Sequence, residues 1–197
     1  MVRRIVWAMM CWAMALPAGL LDPRPGITIR IVNFAGVPNA TLQRAEREAS
    51  HILGKAGVAA VWLDCDAALT RDVCRSRPGP SELWLHLLKQ RPRGLVADAA
   101  GFARVPPPQE GDGNYAAISC PVVMKAAKDL EAGVPVLLGI TMAHEIGHLL
   151  LGPKAHSPGG IMRPRFGRGD VLLANWGELL FTPEQAARIR VALAARR

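Results

Sequence analysis

Three observations predict an α+β fold, with strands and helices around one core. Ile27-Thr28-Ile29-Arg30-Ile31-Val32 alternates apolar and polar residues and is rich in β-formers, the period of a strand. Leu42, Ala45, Ala49, Ile52 and Ala56 then recur at three- and four-residue steps as far as Gly57, an amphipathic helix closed by glycine; the short apolar run 58–63 follows as a second, parallel strand, completing a βαβ unit. Residues 136–151 are apolar nearly all round except at Thr141, His144, Glu145 and His148, which is the composition of a helix enclosed by core. A chain of 197 residues, half of them hydrophobic, can bury one core of ordinary size, and a single domain over 27–197 is expected.

Residues 1–18 stand apart in composition. Arg3 and Arg4 precede an apolar run from Ile5 to Leu16, and Pro17-Ala18-Gly19 follows: the charged, apolar and small-residue zones of a secretory signal peptide. The run is too short to span a bilayer, so no stable membrane span is expected after cleavage. Cys11 within it has no lipid-attachment context. Residues 19–26, with two prolines, read as a linker. The protein is therefore expected to be secreted or periplasmic, where oxidising conditions favour disulfides. Cys65 and Cys74 bracket the polar stretch 66–73, which reads as a loop, and are the expected pair; Cys120 is left over, either a buried free thiol or an alternative partner, since three cysteines permit three single pairings.

Further along, Pro78-Gly79-Pro80 breaks the chain, Ser81 can cap, and 82–90 reads as a short helix with Leu83, Leu87 and Leu88 inward. Residues 94–105, with Leu95, Val96, Phe102 and Val105, read as a strand or strand pair, 106–113 as an exposed proline- and glycine-rich loop, and 114–119 as another strand. Tyr115, the only tyrosine, is read as a core or rim residue, and His51 and His86 as isolated helix residues of structural or surface kind. Residues 121–132 form a helix ended by Gly133 and Pro135, the stretch from Asp170 to Trp176 reads as a loop, and Thr182-Pro183-Glu184-Gln185 has the cap, proline and glutamine of a helix start. Ile189 and Leu193 face inward on that closing helix.

The net charge is +8. The arginines are scattered over several segments without aromatic interleaving, a solvated basic surface, and no nucleic-acid partner is expected. Arg163, Arg165 and Arg168 form the one cluster, and its position beside the site described next is expected to bias that site toward acidic or carboxylate-bearing substrate ends.

The chemistry is carried by His144-Glu145-Ile146-Gly147-His148. Residues four apart share one helix face, so the two imidazoles converge, and HExxH on a helix is the arrangement that binds zinc through two histidines. Glu145, beside the first ligand, is placed to act as general base toward a water activated by one catalytic zinc ion. A catalytic zinc takes three protein ligands. Gly152 can take a left-handed conformation just past the helix and Pro153 cannot continue it, so the chain turns there and His156 is the expected third ligand. Met162 follows in a turn-rich loop, Ser157-Pro158-Gly159-Gly160-Ile161-Met162.

HExxH, a glycine, a third histidine and a nearby methionine resemble the active site of the metzincin zinc peptidases, and the histidine-to-methionine spacing is similar to that of the matrixin branch. The resemblance implies a twisted mixed sheet backed by helices, with an active-site helix and a C-terminal helix, and a metalloendopeptidase acting on peptide or protein substrates. It implies His144, His148 and His156 as ligands, Glu145 as base, Gly152 as the glycine of the turn and Met162 as the Met-turn residue. It also implies that the strand at 114–119 is the sheet edge beside the cleft. The family pattern puts the third histidine six residues after the second, whereas here the interval is eight, with Gly152 one place later. Either the turn bulges or the third ligand lies elsewhere; Glu178, in Asn175-Trp176-Gly177-Glu178, is the alternative, as in gluzincins. A zinc-stabilised binding protein without catalysis is the reading from another class. A monomer is expected.

Overall fold

The alternation at Ile27, Ile29 and Ile31 sends three branched side chains to one face of a strand, each no more than 1% exposed. Each such burial contributes about 1.5–3 kcal/mol, which sets that face against helices. The computed structural model describes residues 24–94, 98–106, 113–152 and 154–196. The signal-peptide stretch, most of the linker, Leu95, Val96 and residues 107–112 of the proline-rich loop lie outside the described residues.

In chain order the elements are β1 (Gly26–Asn33), α1 (Asn39–Lys55), β2 (Ala59–Asp64), α2 (Arg71–Arg75), β3 (Glu82–Leu88), β4 (Gly101–Arg104), β5 (Tyr115–Ser119), α3 (Cys120–Asp129), α4 (Val134–Leu151), α5 (Arg168–Asn175) and α6 (Pro183–Ala195). The sheet order is β2-β1-β3-β5-β4. β1 pairs in parallel with β2 and β3, β3 in parallel with β5, and β4 antiparallel to β5. This is the expected mixed sheet backed by helices, and the βαβ unit of β1, α1 and β2 is as read from the sequence.

Several sequence expectations are corrected. Residues 82–88 are a strand, and a central one: Leu83, Leu85 and Leu87 are buried while Trp84, His86 and Leu88 are only partly so. A period of two thus governs the stretch, and pairing with strands on both sides supplies backbone partners that a helix would otherwise have made. His86 accordingly sits on a strand, hydrogen-bonded to Tyr115 Oη through Nδ1 at 3.1 Å. β5 is interior, and the edge is β4. The stretch after Met162 is helical over α5, because buried Asp170 accepts from the Gly167 N–H at 2.8 Å and from Arg163 at 3.1 Å and so organises the first turn. The loop expected at 66–73 likewise holds the start of α2.

Cys65 and Cys74 form the expected disulfide, and Cys120 is a buried free thiol, pushed up to about 11 by burial. α6 opens with the expected capping box: Thr182 Oγ1 accepts from the Gln185 N–H, and Gln185 Oε1 accepts from the Thr182 N–H. α4 is long and apolar enough to cross a membrane, but 78% of it is buried inside the protein, where it packs against α1 and against β4 and β5.

Candidate metal centre

α4 carries His144 and His148 one turn apart, and His144 is 8% exposed. The helix ends at Gly152, with φ of +84°, and Lys154 also has positive φ, +63°. Two such residues in close succession fold the longer interval back on itself, tuck Ala155 into the core at 4% exposure, and return His156 to the helix. The turn therefore bulges, and His156 is brought beside His144 and His148 despite the eight-residue interval. His148 Nε2 lies 3.1 Å from His144 Nε2 and 3.1 Å from His156 Nε2. Two ligands of a tetrahedral zinc, each at about 2.0–2.1 Å, are about 3.3 Å apart, so this spacing suits one shared ion.

Glu178 is exposed and takes no part in the cluster, which among the described residues consists of His144, His148 and His156. Protonation favours a metal as well. Burial, then the neighbouring His144 and His156, push His148 down to about 4. Burial also lowers His144, against the opposing effect of its hydrogen bond. That bond runs from His144 Nδ1–H to the Ile161 carbonyl at 2.8 Å, which fixes the tautomer and leaves Nε2 as the ligating atom.

Below the histidines, Met162 is fully buried. A Cβ at Gly147 would stand 2.6 Å from Met162 Sδ, so the thioether packs directly against the helix between the two ligands. The loop carrying it is closed by the Ser157 N–H donating to the Met162 carbonyl at 3.0 Å. Gln185 braces the same loop from α6, its Nε2 donating to Ser157 Oγ at 3.0 Å and to the Ala155 carbonyl at 3.4 Å. The sequence showed Gln185 only as a helix cap; its second task depends on partners 28 and 30 residues away.

Glu145 is 5% exposed, and burial pushes its carboxyl up to about 8. It lies under β4. A Cβ at Gly101 would come within 2.6 Å of Glu145 Oε1 and 2.8 Å of Cδ, so only glycine admits this approach of edge strand and carboxylate. Nothing in the sequence singled out Gly101.

The three histidines and Glu145 open onto a cleft of about 580 Å3 between β4, α3, α4 and the segment after Met162, with apolar residues such as Val123, Leu130 and Leu137 deep within it. At the rim, Arg165 and Asp98 form an ion pair at 2.7 Å. Arg163 is met by Asp170 and Arg168 by Glu131. Each arginine of the cluster thus faces a carboxylate, which offsets the cationic field that the sequence pointed to.

No protein-family profile matches the chain, and no curated protein matches it significantly. Solved structures do. The crystal structure of archaemetzincin from Methanopyrus kandleri matches at 20% identity with a TM-score of 0.53, over 91% of this chain and 99% of that one. The crystal structure of a zinc-dependent peptidase from Methanocorpusculum labreanum matches at 16% identity with a TM-score of 0.55, over 82% of this chain and 99% of that one. The chain shares the fold of these two peptidase structures.

Proposed function

We propose that this protein is a zinc-dependent metallopeptidase. The observation that carries the reading is the convergence of three imidazole nitrogens beside a buried carboxylate, at the mouth of a cleft walled by a sheet edge. A zinc ion held by His144, His148 and His156 would supply a Lewis acid for the scissile carbonyl and lower the pKa of a water to about 7. Glu145 then takes a proton from the attacking water and delivers it to the amine as the C–N bond breaks, a transfer for which its raised pKa suits it. Among the described residues β4 has a free edge beside Glu145, and an extended peptide adds there by main-chain hydrogen bonds, which tolerate many side chains. The buried Met162 beneath the ligands supports the metzincin-type assignment. Export is proposed as well, on the order of charged, apolar and small residues in 1–18 and on the Cys65–Cys74 disulfide.

The test is zinc content and hydrolysis of a mixed peptide library by the purified protein, beside Glu145→Gln. One zinc per chain with cleavage lost in the variant is the expected result. One zinc with no cleavage by either protein would favour the non-catalytic binding role instead.

A further inference from the structure

On another side of the molecule, α1 and the end of α5 enclose a shallow groove of about 650 Å3 lined by Arg44, Arg47, His51 and Trp176 among others. Arg44, Arg47, His51 and Lys55 fall at steps of three and four on α1, so they share one face, on which Arg44, Arg47 and Lys55 are the cations. Among the described residues Arg44, Arg47 and Lys55 take part in no ion pair. An acidic residue, Glu48, also lines the groove, and its stem packs against α4: the position of a Cβ on Gly139 lies 2.5 Å from the Glu48 Cβ. Burial, then Asp64, raise Glu46, the other nearby carboxylate on α1, against the opposing effect of Arg47.

Beside that face, large apolar side chains are exposed within five residues of one another: Leu172 at 52%, Leu173 at 36% and Trp176 at 68%. Leu172 and Trp176 are four apart and share a face of α5. The two features are joined by His51, whose Nε2 is 3.1 Å from the Gly177 carbonyl. The chain also enters the domain here. Arg24 donates to the Gly54 carbonyl at 3.3 Å, next to Lys55 and one turn of α1 from His51. The apolar run Ile5 to Leu16 ends eight residues before Arg24, a reach of at most about 29 Å.

We propose that this face docks the protein onto an anionic phospholipid bilayer. Leu172, Leu173 and Trp176 enter the interfacial region, while Arg44, Arg47 and Lys55 meet lipid phosphates. Apolar residues flanked by unpaired cations are what an interfacial site requires, since burial of apolar area and attraction to the surface potential add. The proposal does not rest on the peptidase reading.

The experiment is co-sedimentation of the full chain with vesicles of phosphatidylcholine alone and with about one third phosphatidylglycerol, at low and high salt. Two variants accompany it, Arg44→Gln/Arg47→Gln/Lys55→Gln and Leu172→Ser/Trp176→Ser, each checked for folding by circular dichroism. The first is expected to weaken binding to anionic vesicles by on the order of 5-fold per cation removed, with little change on neutral ones. The second is expected to weaken binding to both, by about 10-fold or more. Equal binding by all three proteins would overturn the proposal, because the amino-terminal run would then suffice. A salt-insensitive preference for neither vesicle, with the second variant changing only self-association, would overturn it in favour of a contact between copies.

Discussion

The helix wall of the cleft, α4, is 18 residues long and enclosed by the core, whereas the facing wall, β4, is four residues at the sheet edge, bonded to one neighbouring strand and partly exposed. All the groups with chemistry sit on α4 or on the turn braced against it. What β4 offers is backbone. The difference teaches a division of labour: a metal site needs ligands held to within a few tenths of an ångström, and a buried helix with a supported turn gives that. A peptide of varying sequence needs an unpaired strand edge instead. Gly101 is where the two walls meet, and there the tolerant wall becomes exacting.

The largest expected effect breaks the helix wall. His148→Ala should leave the protein with almost no bound zinc by metal analysis and lower kcat/KM by at least about 1,000-fold, on the order of 4 kcal/mol of transition-state stabilisation. Retained zinc would show that His144 and His156 hold the ion with another group. Gly101→Ala tests the meeting point. The added methyl overlaps Glu145, and displacing a catalytic group by about 1 Å costs on the order of 100-fold in rate, so kcat should fall with zinc content unchanged. Wild-type activity in that variant would mean that β4 yields at no cost.

Gln185→Ala sharpens the contrast between a ligand and its brace. Loss of the bonds to Ser157 and Ala155 should weaken zinc affinity by about 10-fold, measured by competition with a chelator, while leaving an HExxH pair in place. His86 lies on the far face of the sheet and provides a pH test outside the cleft. Burial lowers its folded-state pKa, so below about 6.5, its usual value, the unfolded chain binds the extra proton more readily and stability falls as pH falls. His86→Phe should flatten that decline between roughly pH 7 and 5 in denaturant titrations of metal-free protein. An unchanged slope would assign the acid sensitivity to other groups. Smallest of all, Arg165→Ala should change peptide preference by no more than about threefold, because its pair with Asp98 is exposed and such pairs contribute about 0–1 kcal/mol. A large loss for acidic substrates would restore the role that the cluster's sequence position implied.

Much of this molecule is local, and what is local was legible. The period of two in β1, the period near 3.6 in α1, the capping box of α6 and the His144–His148 spacing are each set within at most one 17-residue element, so the sequence alone determined them. The disulfide between Cys65 and Cys74 belongs here too, since its ends stand only nine positions apart in the chain. The stretch at 82–88 was ambiguous because Leu83, Leu87 and Leu88 fit a helix as well as Leu83, Leu85 and Leu87 fit a strand; pairing with β1 and β5, far away in sequence, resolved it. The same holds for β4 at the edge in place of β5, which depends on an antiparallel return that no local pattern specifies. His156 reached the metal site only through the positive φ angles at Gly152 and Lys154 and the brace from Gln185. Gly101 acquired its role from a carboxylate 44 residues away. Short-range periodicity and capping are properties of the chain, whereas strand order, close approach and the burial that shifts His148 and Glu145 exist only once distant segments have packed.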